Sequence, residues 1–429
     1  MDSRTIVAPI TGTAPAAVAV IRLSGADAWS IASRVFHPWP HEPTSHRAYY
    51  GRFQHQDDGI ALLFAHGRSF TGEESVELSL HGSPASVRAL LEACYAAGAR
   101  PAEPGEFTLR AFMNGRIDLA QAEAIRDTVE SLTAVQLQAA HSGREGALGD
   151  AIEPIVGQVG AVLAAIEASV DFSEEVGDLD HAEAIDRLGH AMNGLDALLA
   201  HASAGRLLRE GMSVAIVGAP NAGKSSLLNA LLGYRRAIVT DIAGTTRDTI
   251  EELVDLGGIP VRFIDTAGFR ETEDTIEAEG IARSQAAVQS ADLVLEVIDL
   301  QHPRDIGVRG KRHLRVGNKL DVCSSEVSTD VSISAQNGTH VPQLIDAIRA
   351  VFLTETEGLT VALNHRHVPL LTLARDAAIE ARTSLALAVP PDLAVTHLRD
   401  ALHHLGLVTG SAVTVDYLDL IFKNFCIGK

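Results

Sequence analysis

The chain has few of the residues on which small cross-linked or metal-stabilised folds depend. Only three of its 429 residues are cysteines, and they show neither CxxC spacing nor the even count of a disulfide framework. We therefore expect a reducing, cytoplasmic environment and no zinc site. Aromatic residues make up only 4% of the chain, so its cores must be built mainly from aliphatic side chains.

Positive charge is also scarce. The chain has 35 Lys and Arg against 55 Asp and Glu, a formal net charge of −20. Such a protein does not bind nucleic acid through bulk electrostatics, and an RNA partner would have to meet a local basic patch. The best candidate patch contains Arg304, Arg309, Lys311, Arg312 and Arg315, although a solvated face is the more economical interpretation. No apolar run reaches the ~20 residues of a membrane span.

Apolar periodicity divides the chain into an α/β start, two helical blocks and an α/β middle. Residues 1–118 are predicted to form an α+β domain, with strand-like alternation at 76–81. Residues 119–207 and 355–429 have helical periodicity. Residues 208–354 alternate strand-like and helical runs, as in a doubly wound sheet. The economical arrangement of this multidomain α/β protein is one discontinuous helical domain with the second α/β domain inserted into it.

Local patterns also predict the environment of individual residues. Cys94 lies in a helical pattern and is expected in the core, and Asp118 with Gln121 is a capping-box-like helix start. Arg366 and His367 are expected at the surface. In the first helical block, five apolar residues share a 3.6-residue period and should face the core: Ile152, Val156, Val159, Leu163 and Ile166.

Residues 218–225 match the phosphate-binding pattern GxxxxGK[ST]. A strand-like run precedes them and a helix-prone run follows, the context in which this motif is credible. Backbone N–H groups of such a loop surround phosphate oxygens, Lys224 adds positive charge, and the Ser225 hydroxyl is a ligand for Mg²⁺. The Asn221 side chain could also offer an oxygen to a cation. The loop residues expected to bind nucleotide are Asn221, Ala222, Gly223, Lys224, Ser225 and Ser226.

Further motifs follow in the order found in GTPases. Residues 240–248 lie where a switch segment should bring a threonine to Mg²⁺, and Asp265 can reach the same ion from the end of a strand-like run. Asp321 ends an NKxD motif whose carboxylate accepts guanine N1–H and N2–H₂, which adenine does not offer. Residues 334–335 could place a backbone N–H at guanine O6. The residues added to the GTP site are Thr240, Asp241, Ile242, Ala243, Gly244, Thr245, Asp265, Thr266, Ala267, Gly268, Asn318, Lys319, Asp321, Ser334 and Ala335.

These motifs do not identify the group that activates the attacking water. In Ras-like GTPases a glutamine follows the glycine of DxxG, but Phe269 holds that position here and cannot form the hydrogen bond. Either hydrolysis is slow, or another group of the same segment acts. The chemistry alone leaves several charged candidates open: Arg270, Glu271, Glu273, Asp274, Glu277 and Glu279.

Several longer signatures resemble the MnmE (TrmE) family of tRNA modification GTPases, and together they cover the whole chain. They lie at 21–25, 69–73, 104–112, 118–123, 220–231, 238–248 and 425–429. The resemblance implies a dimerising N-terminal domain that binds tetrahydrofolate, a helical domain, and an inserted Ras-like P-loop GTPase domain. It implies potassium-stimulated GTP hydrolysis in complex with the FAD-dependent protein MnmG, as a heterotetramer or larger assembly.

The reaction that the resemblance implies takes place on certain tRNAs. A carboxymethylaminomethyl or aminomethyl group is added to C5 of the wobble uridine, with a 5-formyl- or methylene-tetrahydrofolate as the one-carbon donor. The resemblance assigns Glu277 to orienting the attacking water and Cys426 to the modification step, although Cys426 could equally be a buried small residue.

The resemblance also assigns ligands. Potassium would be held by Asn221, Thr240, Ile242 and Thr245. Magnesium would be held by Ser225 and Thr246. The folate would contact Arg22, Glu77, Arg116 and the terminal Lys429.

Two other classes of GTPase are considered. A ribosome-assembly GTPase of the Era or Der type would carry a KH domain or a second P-loop, and the sequence has neither motif. A signalling switch would need an external activator. Comparing GTP turnover in KCl and in NaCl distinguishes these classes from a potassium-stimulated enzyme.

Overall fold

The computed structural model describes residues 4–12, 14–54, 57–171, 179–234, 253–264, 288–304, 312–323, 327–359, 361–387, 391–423, 425 and 428. Contacts divide the chain into two units. The first contains Met1–Arg126 with His403–Lys429, and the second contains Asp127–Leu402. The end of the second helical block, from His403 onward, therefore belongs to the same compact unit as the N-terminal residues. The predicted division into segments 1–118, 119–207, 208–354 and 355–429 stays a prediction.

The first unit is built on a seven-stranded sheet with the order β3-β4-β5-β6-β2-β1-β7. All neighbouring strands are antiparallel except β1 and β7. The strands are β1 (Ile6–Pro9), β2 (Val18–Ser24), β3 (Phe36–His37), β4 (Arg47–Phe53), β5 (Asp58–Phe64), β6 (Ser75–His81) and β7 (Arg100–Pro101). The predicted alternation is confirmed in β6, where Val76, Leu78 and Leu80 are buried. The register of β2 on β6 sets Arg22 opposite Glu77.

Helices cover this sheet and form a second core beside it. They are α1 (Ala28–Val35), α2 (Pro84–Ala96), α3 (Glu106–Met113) and α4 (Leu119–Glu130), and the C-terminal residues add α13 (Val415–Phe422). Cys94 of α2 is buried, which raises the pKa of its thiol to about 12 and confirms it as a core residue. Asp118 and Gln121 exchange the two hydrogen bonds of a capping box at the start of α4.

The second unit contains a six-stranded sheet with the order β13-β12-β11-β8-β10-β9. Its strands are parallel except for β9, which pairs with β10 in the antiparallel sense. They are β8 (Met212–Gly218), β9 (Leu253–Leu256), β10 (Ile259–Ile264), β11 (Leu293–Asp299), β12 (His313–Asn318) and β13 (Val331–Ser332). Helices α9 (Lys224–Tyr234) and α10 (Val341–Thr356) belong to the same α/β part. The predicted strand–helix alternation of the middle segment is confirmed for these elements.

The remaining helices of the second unit form its helical part. They are α5 (Ala134–Arg144), α6 (Ala147–Asp171), α7 (His181–Ala200), α8 (Ala202–Glu210), α11 (His367–Ala386) and α12 (Pro391–Thr409), whose last turns belong to the first unit. The buried face of α6 consists of Ile152, Ile155, Val159, Val162 and Ile166. Two predicted members were wrong, because Val156 is 37% exposed and Leu163 is only partly buried. When a helix packs along one neighbouring helix, its contact residues repeat every 3.5 residues, so fewer positions are buried than the predicted 3.6-residue period implies.

The expectation for Arg366 and His367 was also wrong, since both side chains are buried. Asn364 Oδ1 accepts hydrogen bonds from the backbone N–H groups of both residues, at 2.8 and 2.9 Å. Gly205 of α8 approaches Leu363 so closely that an added Cβ would lie 2.7 Å from its nitrogen. Tertiary packing at the start of α11 therefore covers residues whose type alone suggests the surface.

Helix α6 is long and apolar enough by length and composition to cross a membrane, with a mean hydropathy of 1.4 over its best window. It alone meets this criterion in the described part of the chain. Core helices of soluble proteins meet it as well, and the apolar stripe of α6 is buried within its own unit. The observation therefore gives only weak support to a membrane location.

Candidate functional site

The predicted phosphate-binding loop lies between the central strand β8 and the start of α9. Asn221 and Gly223 have φ values of 63° and 92°, so the backbone turns through the left-handed region twice within three residues. A Cβ at position 223 would collide with the Asn318 side chain. Only glycine therefore fits there, which agrees with the GxxxxGK[ST] interpretation of the sequence.

Lys224 begins α9 and turns its side chain back over the loop. Its ammonium donates hydrogen bonds to the carbonyl oxygens of Gly218 and Ala219, each at 3.0 Å. Among the described residues no carboxylate pairs with it, and burial lowers the pKa of its ammonium. The loop thus holds a positive charge against neutral oxygens only, as a site for an anionic ligand requires.

The other predicted loop residues lie on either side of Lys224 along the chain. Ala222 is buried, whereas Asn221, Ser225 and Ser226 are exposed. Ser225 lies in the first turn of α9, where unpaired backbone N–H groups and the helix dipole favour anions. The exposed side chains offer oxygen donors, the ligand type that magnesium and alkali cations take.

Asn318, the last residue of β12, joins the loop to the segment after β13. Its Nδ2 donates to the Ala222 carbonyl at 2.9 Å, and its Oδ1 accepts from the Ala335 backbone N–H at 3.0 Å. Asn318 is only 3% exposed, so both bonds are protected from water. Ser334 is fully buried, and its hydroxyl accepts from the Asn337 backbone N–H. Residues of three predicted motifs therefore meet at one amide.

Lys319 and Asp321 follow Asn318 on the loop after β12. Lys319 has a φ of 71°, and its ammonium pairs with Asp299 Oδ2 at 2.7 Å. Burial would raise the pKa of the Asp299 carboxyl, but hydrogen bonds from Lys319 and the Gln301 N–H outweigh it and hold that pKa below its usual value. Asp321 is exposed. The sequence analysis missed Asp299, and its only signal was an acidic residue ending a buried apolar strand.

Many of the predicted residues lie outside the part of the chain that the structure describes. They are Thr240, Asp241, Ile242, Ala243, Gly244, Thr245, Thr246, Asp265, Thr266, Ala267, Gly268, Glu277, Cys426 and Lys429. Their assignments stay predictions.

Two of the expected folate residues form an ion pair in the first unit. Arg22 Nε and Nη2 donate to Glu77 Oε1 at 3.0 and 2.7 Å. The Arg22 guanidinium carbon lies 5.3 Å from the ring centre of Phe70 and 5.6 Å from that of Phe107. Neither ring was singled out as a site residue from the sequence, although both lie within the 69–73 and 104–112 signatures. Arg116, the third expected residue, is exposed.

The candidate basic patch is partly neutralised. Arg312 pairs with Glu355 at 2.6 Å, and Arg315 lies 3.3 Å from Glu296. Arg304 is exposed, while residues 309 and 311 lie outside the described part. The two ion pairs favour the interpretation as a solvated protein face.

Comparison with known proteins covers both units. The chain matches the model of the GTP-binding protein TrmE N-terminus over residues 5–116 and that of the MnmE helical domain over residues 119–426. It is 40% identical to the tRNA modification GTPase MnmE of Syntrophotalea carbinolica over 100% of both chains, and 41% identical to that of Akkermansia muciniphila over 99% of both. The G domain of the T. maritima FeoB iron transporter is 23% identical over 34% of this chain and 99% of that one, with a TM-score of 0.24. The two family models and the full-length relatives establish that the chain belongs to the MnmE (TrmE) family of tRNA modification GTPases.

Proposed function

We propose that this protein hydrolyses GTP and that its hydrolysis serves the modification of tRNA, the activity for which its relatives are named. The observation that carries the proposal is the Asn318 amide, which joins the phosphate loop at Ala222 to the predicted guanine-binding segment at Ala335. A phosphate site and a base site held by one buried side chain fit a single nucleotide. An Era- or Der-type role is not favoured, because family models for tRNA modification GTPases match both units.

The phosphates would lie against Lys224 and the start of α9. The Lys224 ammonium, which contacts no carboxylate among the described residues, and the N-terminus of α9 both favour a polyanion. The Asp321 carboxylate would accept the two guanine N–H donors, since it is exposed beside Asn318. The Ala335 N–H, expected at guanine O6, already donates to Asn318, so the carbonyl of the base would have to share this donor.

Two cations belong to the proposal, and the described donors fit them. Asn221 and Ser225 are exposed oxygen-bearing residues on the loop, which suits both potassium and magnesium. Asn221 would hold potassium with Thr240, Ile242 and Thr245. Ser225 would hold magnesium with Thr246. Potassium would supply positive charge to the transition state of GTP hydrolysis, the task of an arginine finger in other GTPases.

Glu277 would orient the attacking water, a task for which Phe269 lacks a hydrogen-bonding group. Residues 240–248 and 265–279 complete the proposed catalytic site, so its support comes from the order of the motifs and from family membership. The protein would carry out this reaction in the cytoplasm.

The first unit would bind the reduced folate at Arg22 and Glu77. A guanidinium beside a carboxylate offers a donor and an acceptor side by side, which matches the 2-amino-4-oxopyrimidine edge of a pteridine. Arg116 and Lys429 would hold the rest of the ligand, and Cys426 would act in the modification step. Homodimerisation through this unit, the FAD-dependent partner MnmG and the aminomethyl or carboxymethylaminomethyl product complete the proposed function.

GTP turnover in KCl and NaCl tests the nucleotide half of the proposal. We expect turnover in KCl to exceed that in NaCl by about tenfold or more, and Asn221→Ala to reduce the KCl rate to the NaCl rate. Asn229→Ala is the matched control, because Asn229 is an exposed asparagine on α9 outside the loop. Equal wild-type rates in the two salts would remove potassium from the mechanism.

Nucleoside analysis of tRNA from a deletion strain tests the other half. The modified wobble uridine should disappear and should return with the wild-type gene but not with Lys224→Ala. An unchanged nucleoside profile in the deletion strain would rule out the tRNA role while leaving the GTPase activity in place.

A further inference from the structure

The segment 69–73 of the first unit is held by buried hydroxyl groups on both sides of one aromatic residue. Ser24 Oγ and Thr71 Oγ1 are 2.6 Å apart, and Ser69 Oγ donates to the Glu73 carbonyl at 2.6 Å. The hydroxyl-bearing residues are all buried, whereas Phe70 between them is 37% exposed. The backbone is thus fixed at Ser69 and at Thr71, and the Phe70 ring is presented between these anchors.

Arg110 of α3 ties this segment to the rest of the unit. Its Nη1 donates to both carboxylate oxygens of Glu73 at 3.1 and 3.0 Å, and its Nη2 donates to the Arg4 carbonyl at 2.9 Å and to Glu106 at 3.0 Å. Arg110 is only 5% exposed, so these charge-assisted bonds are shielded from water. One side chain therefore connects the segment, α3 and the N-terminal residues.

Helix α3 also carries the second ring beside Arg22. Phe107 is fully buried, so it supports the guanidinium from within the unit. Phe70 lies against the same guanidinium but keeps part of its surface in solvent. In this way α3 places Phe107 directly and fixes Phe70 through Arg110 and Glu73.

We propose that Phe70 is a wall of the folate site, on which the flat pyrimidine ring of a reduced folate stacks, and that Arg110 is the residue that positions this wall. The inference rests on the folate site proposed at Arg22 and Glu77. That pair offers hydrogen bonds to the edge of a heteroaromatic ring, and Phe70 beside it offers a face. Together an edge and a face fit a flat ligand better than either alone.

Calorimetric titration of the full-length protein with 5-formyltetrahydrofolate tests the wall. Phe70→Leu keeps the apolar volume but loses the aromatic face, and we expect it to weaken binding about tenfold, whereas Phe70→Tyr should stay within about threefold of wild type. Tyr50→Leu is the control, because Tyr50 is an exposed aromatic residue of β4 in the same unit. Binding by Phe70→Leu within about twofold of wild type would overturn the assignment.

A double-mutant cycle tests the positioning role of Arg110. Lysine at position 110 keeps the charge but lacks the fork that reaches Glu73 and Glu106 together. If Arg110 acts through Phe70, Arg110→Lys should weaken binding about fivefold in the wild-type background and by less than about twofold in the Phe70→Leu background. An equal loss in both backgrounds would leave Arg110 as a structural residue only. If Arg110→Lys does not fold, Glu73→Gln takes its place in the cycle, because glutamine keeps the shape of the Glu73 side chain but removes the charge that Arg110 contacts.

The controls distinguish failure of this inference from failure of the proposed function. A wild-type protein that does not bind 5-formyltetrahydrofolate removes the folate site and Phe70 with it. If the wild-type protein binds the ligand and Phe70→Leu binds it with the same affinity, the folate site stands and only the role of Phe70 is excluded. GTP affinity should be the same in all variants, which shows that the second unit is folded in each.

Discussion

The two candidate sites hold their principal cations in opposite ways. Arg22 in the first unit lies 2.7 Å from the Glu77 carboxylate and against two aromatic rings. Lys224 in the second unit is also partly buried, but among the residues that the structure describes its ammonium meets only the carbonyl oxygens of Gly218 and Ala219. The charge of Arg22 is compensated before any ligand arrives. No carboxylate in the described part of the chain compensates the charge of Lys224, and burial lowers the pKa of its ammonium.

This difference indicates which ligand each site suits. A guanidinium–carboxylate pair has no net charge and presents both donors and acceptors, so it suits a neutral planar ring. An ammonium without a carboxylate gains most from a polyanion, because the ligand then supplies the missing counter-charge. The comparison therefore predicts that changes at the Arg22–Glu77 pair affect the free energy of unfolding as well as folate binding, and that changes at Lys224 affect GTP binding with little effect on stability.

The largest expected effect is on nucleotide affinity. We expect Lys224→Ala to weaken GTP binding by about 100-fold or more, since removing one partner of a buried charge pair costs roughly 2–5 kcal/mol. The free energy of unfolding without nucleotide should hardly change, because the variant loses only hydrogen bonds to carbonyl groups. Titration with a fluorescent GTP analogue and urea denaturation measure the two quantities.

An exposed arginine in the same unit supplies the control for this experiment. Arg399 pairs with Glu167 at 2.8 Å on the surface, so Arg399→Ala should leave GTP affinity within about twofold of wild type. If Lys224→Ala also stays within that range, the ammonium does not bind the phosphates and the contrast between the sites fails.

The next largest expected effect is on stability, at the Asn318 amide that holds the predicted phosphate loop in place. Asn318→Ala leaves the Ala222 carbonyl and the Ala335 N–H unpaired in a buried place, at a cost of roughly 2–4 kcal/mol in unfolding free energy. Asn337→Ala is the control, because that side chain is exposed nearby. A loss for Asn318→Ala no greater than that of the control would contradict the role of this amide.

The sequence predicted the elements that depend on local pattern. The strand before the loop, the helix after it and the capping box at Asp118 follow from residue types at fixed offsets, and all are observed. Alternation predicted β6 for the same reason. Such features need only the local chain, so a single sequence carries them.

Features that depend on distant residues were missed or wrong. The burial of Arg366 and His367 accompanies the close approach of Gly205 in α8 to Leu363, which nothing at positions 366 and 367 indicates. The pairing of Asp299 with Lys319 and that of Arg110 with Glu73 join residues far apart in sequence. The Arg22–Glu77 pair was reached through a family resemblance, not through spacing.

We expect a smaller effect on stability from the Arg22–Glu77 ion pair of the first unit. Glu77→Gln leaves the partly buried Arg22 without a charged partner, and we expect it to lower the unfolding free energy by about 1–3 kcal/mol. Glu183→Gln, which breaks an exposed pair with Arg187 on α7, should cost less than about 0.5 kcal/mol. Equal effects would show that Arg22 is as well solvated as Arg187, and the comparison with Lys224 would lose its basis.

The smallest expected effect comes from a pair between an exposed histidine and a partly buried aspartate in the same unit as Arg22. Asp57 Oδ1 lies 2.6 Å from His81 Nδ1, and the hydrogen bond to Asp57 raises the pKa of His81 above its ordinary value of 6.5. Burial would raise the pKa of Asp57, but hydrogen bonds from His81, the Asp58 N–H and Ser86 together outweigh it and hold that pKa below 3.8. Both groups are charged in the folded state between these values.

The pair should therefore stabilise the first unit at mildly acidic pH. A raised histidine pKa contributes stability that is complete below 6.5 and is lost as pH rises through the folded value; a lowered aspartate pKa contributes stability that is lost only in strong acid. We expect the thermal midpoint of wild type to exceed that of His81→Gln at about pH 6 and to approach it at about pH 9, with a difference smaller than that of Glu77→Gln. His190→Gln, at an exposed histidine 3.8 Å from Asp186, is the control variant. A pH-independent difference for His81→Gln would mean that the charge on His81 does not contribute, because the lost stability must follow the titration of the group that provides it.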